Sequence, residues 1–319
     1  MKKILIVTDP KKEHYTEDSY NTLLQVYDIN DSLKSLGYST EVIYFDLDLN
    51  NFINKIKDNK PDIIFNMVED ENYIYYPPII FENLGIKYTG ADSSLMLLTN
   101  NKIKIKKFLQ NRNFTFKIPK YLSLYENTFT SNLITAIIKP VTRHGSYSID
   151  SNSVIRNKKV SDVLNILKIK QKEKKIEFFA EEFIEGREFN IGYLNNIFLP
   201  LAEITFQNYK NNQPKIVDYN AKWISDSFEY KATIREFNFD NKNNISEKLK
   251  LAATELVNFL HIKTFFRFDF RVDYNGDPYL IDINLNPCLL NIDGFYSACK
   301  EKNISYNQMI EMILNEVYY

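Results

Sequence analysis

Three residues towards the C-terminal end of this 319-residue chain, Asp269, Asp282 and Asn284, could together hold a hard cation. Two carboxylates and an amide are oxygen donors of the kind that suits Mg²⁺ bridging nucleotide phosphates. They sit in residues 265–290, FFRFDFRVDYNGDPYLIDINLNPCLL. Phe266, Phe268, Phe270 and Val272 alternate with Arg267, Asp269 and Arg271, which marks one strand. Asn275-Gly276 is a tight-turn signal, and residues 279–285 read as the returning strand. Such a hairpin sets Asp269 near Asp282 and Asn284, and the last two, two residues apart, share a face. An ordinary amphipathic hairpin with its polar side in water fits the same alternation.

Other charged residues stand in suggestive places. Lys139 closes the apolar run 134–139 just before the polar loop 142–148, TRHGSYS. A lysine and a Gly/Ser loop converging on one point suit a phosphate. With one glycine and no GK[ST] ending, the loop is not a P-loop. Lys222 is isolated in the polar and aromatic segment 218–230. Lys102, Lys104, Lys106 and Lys107 fall in a predicted helix over 100–110 and read mostly as a solvated face. The loop 66–76 combines Glu69, Asp70 and Glu71 with Tyr73, Tyr75 and Tyr76; it could hold an ammonium group or be a solvated charged loop. Two cysteines, Cys288 and Cys299, make neither a disulfide framework nor a metal-ligand spacing, which fits a reducing cytoplasm. No histidine stands in a recognisable relation to Cys288, which argues against it as a nucleophile.

The elements that must position these residues follow from apolar patterning. Residues 4–7 form a short continuous apolar run, the mark of a buried parallel strand. A helix through Leu23, Leu24, Tyr27, Ile29, Leu33 and Leu36 stops at Gly37. Strand 41–45, a short helix around Phe52 and Ile56, strand 63–66 and a helix over 79–84 complete a β-α-β-α-β order. That order predicts an α/β fold with an open, doubly wound, mostly parallel sheet at the N-terminus. Ligands of such sheets lie at the carboxyl ends of the strands, so loops 8–18 and 66–76 should be neighbours there. After Pro119 the pattern changes to short strands at 134–139, 153–156 and 176–184, with helices around 163–167, 246–260 and 309–317, an α+β arrangement. The predicted divisions are an N-terminal substrate domain over 1–98, a central lid over 99–180 and a C-terminal catalytic subdomain over 181–319.

Composition excludes several functions. A formal net charge of -1 gives no basic field for nucleic acid. No apolar run approaches a membrane span, and the opening MKKILIV stops too early, before Thr8-Asp9-Pro10, for a secretion signal. A soluble cytoplasmic protein is expected.

Taken in order, five segments resemble the ATP-grasp superfamily and, within it, the D-alanine–D-alanine ligase branch. They are GIKYTGADSSLMLLTNNK ending in Lys102, IIKPVTRHGSYS after Lys139, EEFIEGREF, YNAKW around Lys222, and RFDFRVDYNGDPYLIDINLNP. The resemblance implies an ATP-grasp fold and an ATP-dependent carboxylate–amine ligase that forms an amide through an acyl phosphate, releasing ADP and phosphate. A nucleotide-binding protein or kinase on the same fold is the alternative. It implies that Lys102 and Lys139 contact ATP phosphates, and that Glu181, Phe183 and Ile184 form an adenine hinge with Glu188 at the ribose. Lys222 would neutralise the transferring phosphoryl group, Arg267 the acyl group, and Ser146 would act in the loop. Asp269, Asp282 and Asn284 would hold Mg²⁺, two ions by analogy, with Mn²⁺ as a substitute. Small carboxylate and amine substrates and a homodimer are further implications. The chain departs from the family pattern where the first substrate is gripped. The stretch 8–19 lacks the glycine- and serine-rich loop, Asn66-Met67-Val68-Glu69-Asp70-Glu71 replaces a histidine-glycine loop, Trp223 and Tyr147 replace a tyrosine and a serine, and Cys288 replaces a glycine. These departures imply amino-acid-like substrates other than two D-alanines.

Overall fold

The computed structural model describes residues 2–14 and 16–317. The first third runs β1 (Lys3–Thr8), α1 (Glu17–Ser35), β2 (Ser39–Tyr44), α2 (Leu49–Asn59), β3 (Ile63–Met67) and α3 (Tyr76–Leu84). The three strands pair in parallel in the order β2-β1-β3, as the β-α-β-α-β pattern predicts. Val26, Ile29 and Leu33 of α1 pack on one face of this sheet, while Phe52, Ile56, Ile80 and Phe81 cover the other. Residues buried on both faces explain why β1 and β3 read as unbroken apolar runs.

A connecting pair, α4 (Ser93–Thr99) and α5 (Lys102–Leu109), leads to a four-stranded antiparallel sheet. Its strands are β4 (Tyr121–Leu122), β5 (Leu133–Pro140), β6 (Val154–Lys159) and β7 (Phe178–Glu182), in the order β4-β7-β5-β6, with α6 (Val160–Lys174) packed on it.

The remainder contains β8 (Arg187–Leu194), β9 (Ile197–Phe198), β10 (Ala202–Phe206), α7 (Tyr219–Trp223), α8 (Phe228–Ala232) and β11 (Thr233–Glu236). It continues through α9 (Ile245–Leu260), β12 (Phe266–Val272), β13 (Pro278–Asn284), α10 (Gly294–Glu301) and α11 (Tyr306–Glu316). Its sheet has the order β11-β10-β8-β12-β13, with β9 paired to β8. Phe266, Phe268 and Phe270 of β12 are fully buried and pack with Leu249, Ala252, Ala253 and Leu256 of α9. Burial of each such ring stabilises the fold by about 2 kcal/mol, enough to fix which face of β12 turns away from the core. The C-terminal helices close back on the first sheet: Phe295, Met309, Ile310 and Ile313 share one core with Ile4, Ile6, Phe65 and Met67. The first and last segments of the chain are therefore held against each other by apolar packing.

Two glycines make the hairpin connections possible. Gly276 sits at φ +83° in the turn between β12 and β13, where a side chain is strained. At Gly186, between β7 and β8, a Cβ would lie 2.0 Å from the Val272 carbonyl oxygen, so only glycine lets that turn approach the end of β12. Among the described residues no helix is long and apolar enough to cross a membrane.

Candidate active site

The hairpin has the register its sequence predicts. Asp269 lies directly opposite Asp282, and Arg267 opposite Asn284. A register shift beside Asp269 leaves Ile281 as an extra residue on β13, a β-bulge of the kind that re-aims neighbouring side chains. On the other side of β12, Asp269 faces Asn190 and Arg271 faces Glu188 of β8. Directly opposed residues point to the same face, so Arg267, Asp269, Asp282, Asn190 and Glu188 share the face opposite the phenylalanines. The polar half of β12 is not a solvated edge: Asp269 and Arg271 are buried.

Arg267 grips Asp269 bidentately, with Nε on Oδ1 and Nη2 on Oδ2, both at 2.8 Å, and Asn190 Nδ2 adds a third hydrogen bond at 2.8 Å. Burial works against the Arg267 charge, but Asp269 outweighs it and keeps the guanidinium protonated. Burial likewise pushes the Asp282 carboxyl up, yet Lys102, with His144 and Lys139, more than compensates and holds it at about 2. Asp282 is thus an anion at every physiological pH. The two opposed carboxylates are oxygen donors of the kind a hard divalent ion takes, while the Asn284 Oδ1 accepts from the Asn286 amide at 2.9 Å.

Lys102 and Lys139 converge on the same chamber. Lys102 Nζ donates to the Arg143 carbonyl at 2.8 Å, and Lys139 Nζ meets Glu181 Oε1 at 2.5 Å. The expectation of a solvated lysine face holds on α5 for Lys104 and Lys107, which are exposed, and fails for the other two. Lys102 and Lys106, one helical turn apart, are both buried. Lys106 Nζ lies 2.7 Å from the second oxygen of Glu181. The spacing of four from Lys102 was the available signal for Lys106. Burial raises the Glu181 carboxyl, but Lys106 and Lys139 together hold it below its ordinary value.

The loop after β5 is tied down from three directions. Glu71 accepts hydrogen bonds from Arg143 Nη1 at 3.0 Å and from the His144 amide at 2.8 Å. His144 Nε2 lies 3.2 Å from Asn100 Oδ1. Ser146 Oγ donates to the Val217 carbonyl at 2.7 Å, and Trp223 Nε1 donates to the Gly145 carbonyl at 2.7 Å. The acidic loop thus clasps the glycine loop, a partnership that no local pattern predicts because the residues are 72 apart in sequence. Burial, reinforced by Lys102, pushes the His144 imidazole down to about 4, so it is neutral at physiological pH.

These elements enclose a cavity of about 980 Å³. Lys102, Lys139, Ser146, Glu181, Phe183, Ile184, Glu188, Lys222, Arg267, Asp269 and Asp282 all line it. Of the sequence-predicted site residues only Asn284 lies elsewhere, on the wall of an adjoining cavity of about 330 Å³. The smaller cavity is formed by the loops at the carboxyl ends of β1 and β3, including Asp9, Thr22, Gln25, Glu69, Asp70 and Glu71, as the parallel-sheet rule predicts. Lys222, Trp223, Arg267, Cys288 and Asp293 line both cavities and form the neck between them. Asp293 caps α10 by accepting from the Gly294 amide and lies 4.0 Å from Arg235. Nothing in the sequence pattern marked Asp293 or Arg235. Burial, with Asp293 beside it, pushes the Cys288 thiol well above its ordinary range, so it is no thiolate nucleophile.

The arrangement has known counterparts. The family profile "D-ala D-ala ligase C-terminus" matches residues 97–315. The chain is 27% identical over 301 residues to the D-alanine–D-alanine ligase of Aquifex aeolicus, covering 89% of this chain and 91% of that protein. It is 28% identical over 285 residues to that of Pelagibacter ubique, covering 83% and 84%. Among solved structures, the D-alanine–D-alanine ligase of Bacillus anthracis complexed with ATP superimposes with a TM-score of 0.76 at 16% identity, covering 100% of this chain and 98% of that one. The VanG D-Ala:D-Ser ligase of Enterococcus faecalis gives 0.69 at 15% identity, with 99% of each chain covered. With the fold, the charged chamber and the profile match in agreement, the chain belongs to the D-alanine–D-alanine ligase family and is an ATP-grasp carbon–nitrogen ligase.

Proposed function

We propose that this ligase joins a carboxylate to an amine through an acyl phosphate, with ATP in the larger cavity and the two small substrates in the smaller one. The observation that carries the reading is the neck, where Lys222 and Arg267 line both cavities. A γ-phosphoryl group reaching the neck from one side would meet a substrate carboxylate arriving from the other. The carboxylate oxygen attacks the γ-phosphorus and ADP leaves. The amine nitrogen then attacks the acyl carbon and displaces phosphate. Both steps move negative charge without needing a protein nucleophile, so positioning and charge neutralisation carry the catalysis.

In this reading Lys102 and Lys139 hold the phosphates, Phe183 and Ile184 flank the adenine after β7, and Glu188 meets the ribose. Lys222 neutralises the transferring phosphoryl group. Arg267, held in orientation by Asp269, faces the acyl oxygen. Ser146 fixes the loop to the 217 carbonyl. Asp269, Asp282 and Asn284 would hold Mg²⁺, which when bound neutralises phosphate charge. The substrates are amino-acid-like but are not a pair of D-alanines. Cys288 narrows the floor of the neck, and Asp293 adds a carboxylate there that would repel a second substrate's anion.

The test is incubation with ATP, Mg²⁺ and a panel of amino acids and amines, following ADP, phosphate and amide. The expected result is acid-dependent release of ADP and phosphate with formation of an amide and, when hydroxylamine replaces the amine, a hydroxamate formed from the acyl phosphate. AMP and pyrophosphate, or ADP without amide from every pair, would sink the proposal.

A further inference from the structure

The buried group that the proposed reaction leaves unused is Lys106. It is one of two lysines that pair with a single carboxylate, Glu181, whose side chain is 1% exposed. Lys139 holds one oxygen at 2.5 Å and Lys106 the other at 2.7 Å. The two lysines differ in where they stand. Lys139 and Glu181 line the large cavity, whereas Lys106 lines a small crevice with Ile105, Leu109, Ile118 and Leu280, next to Lys102 and Asp282, which reach both spaces. Lys106 therefore reaches Glu181 from outside the lining of the large cavity.

This geometry poses a problem for Lys139. To contact a phosphate it must loosen its hold on Glu181, and without Lys106 the buried carboxylate would be left with no second cation and would pull it back. We propose that Lys106 is a positioning residue: it stays on Glu181 as a fixed counter-charge and so frees Lys139 for the nucleotide phosphates. The inference rests on the reading of the large cavity as the ATP site. Glu181 then acts as a relay between one lysine that stays and one that moves. Its backbone is fixed in the middle of the sheet, paired with Tyr121 on one side and Ile137 on the other, so the carboxylate cannot follow Lys139 outward. The Glu181 carboxylate also explains why Lys106 is tolerated at all, since burial lowers the lysine's proton affinity and Glu181 is the largest influence opposing it.

The experiment is calorimetric titration of a non-hydrolysable ATP analogue with Mg²⁺ into the full-length protein and its variants. Lys106→Met should weaken nucleotide binding by about tenfold to a hundredfold, the worth of a charge-assisted hydrogen bond. Turnover at saturating ATP should change much less, so KM rises while kcat holds. The double variant Lys106→Met/Glu181→Gln should recover most of the lost affinity, because no carboxylate then detains Lys139. A double variant as weak as the single one would mean that Lys106 serves the nucleotide in another way and would overturn the proposal, as would wild-type affinity in Lys106→Met. Should Lys106→Met fail to fold, Lys106→Gln takes its place with the same expectation: weaker binding of the analogue, with wild-type affinity overturning the proposal. Wild-type protein that binds no nucleotide would overturn the ATP-site reading and this inference with it, a result distinct from tight wild-type binding without rescue.

Discussion

The two cavities that meet at Lys222 and Arg267 are built in opposite ways. The walls of the larger one are strands and a helix: β5, β7, β8, β12, β13 and α5 present buried ion pairs whose partners are fixed by sheet register. The smaller one is lined largely by loops and one helix face: Asp9 and Lys12, Thr22 and Gln25 of α1, Glu69, Asp70 and Glu71, the chain after β13, and the cap of α10. The Asp9 carboxylate organises much of it by accepting the Glu69 and Asp70 amides at 2.8 Å each. Thr22 and Gln25 of α1 then donate to the Glu69 carboxylate at 3.0 Å each. A chamber built on register can keep its chemistry while a neighbouring loop-built chamber changes its lining, because a loop substitution does not shift strand pairing.

The comparison can be broken at several points. The largest effect is expected from Lys222→Ala at the neck. Loss of a cation that neutralises charge as phosphoryl transfers should reduce kcat by roughly 100- to 1,000-fold while nucleotide affinity stays within about tenfold. An equal loss of both would place Lys222 in ground-state nucleotide binding instead.

A smaller and differently directed effect is expected from Cys288→Gly. Removing the side chain opens the floor of the neck, so the range of accepted acids and amines should widen, with KM values shifting by about tenfold, the worth of one or two methylene-sized groups in a pocket. Nucleotide Kd should hold. A change in Kd with no change in substrate range would refute the division between the two chambers.

The smallest effect concerns stability. Burial pushes the Asp9 carboxyl up to about 6, opposed only in part by the Asp70 and Glu69 amides. Between its ordinary value near 4 and about 6 the folded protein holds more protons than the unfolded chain, so this group's contribution to stability falls as pH rises through that window. Asp9→Asn keeps the acceptor Oδ1 and removes the buried charge. It should raise stability by about 1 kcal/mol above pH 6 and confer little below pH 4. Thermal melts across pH 4 to 8 would check this; a gain that is constant with pH, or a loss at pH 7, would contradict it.

Much of the larger chamber is legible in the chain because its determinants are local. The alternation of Phe266, Phe268 and Phe270 against Arg267 and Asp269, closed by Asn275-Gly276, is enough to pair Asp269 with Asp282. Lys139 at the end of an apolar run follows from the same short-range rules, whereas Glu188 comes only from the family resemblance. The solvated reading of α5 fails for Lys102 and Lys106 because helical spacing shows which lysines share a face but not what that face meets, and Glu181 is 75 residues beyond Lys106 along the chain. The smaller chamber is legible only in outline, as two loops at the carboxyl ends of parallel strands.

The sequence by itself determined the β-α-β-α-β order of the first third, its α/β character and the polar face of the β12–β13 hairpin, since each depends on periodicity and turn chemistry within about twenty residues. Only the tertiary structure decided that Glu71 clasps Arg143 and His144, that Asp293 stands at the neck, and that Lys106 backs Glu181. Those contacts join residues far apart in the chain, where packing of whole elements sets the distances and no local preference records them.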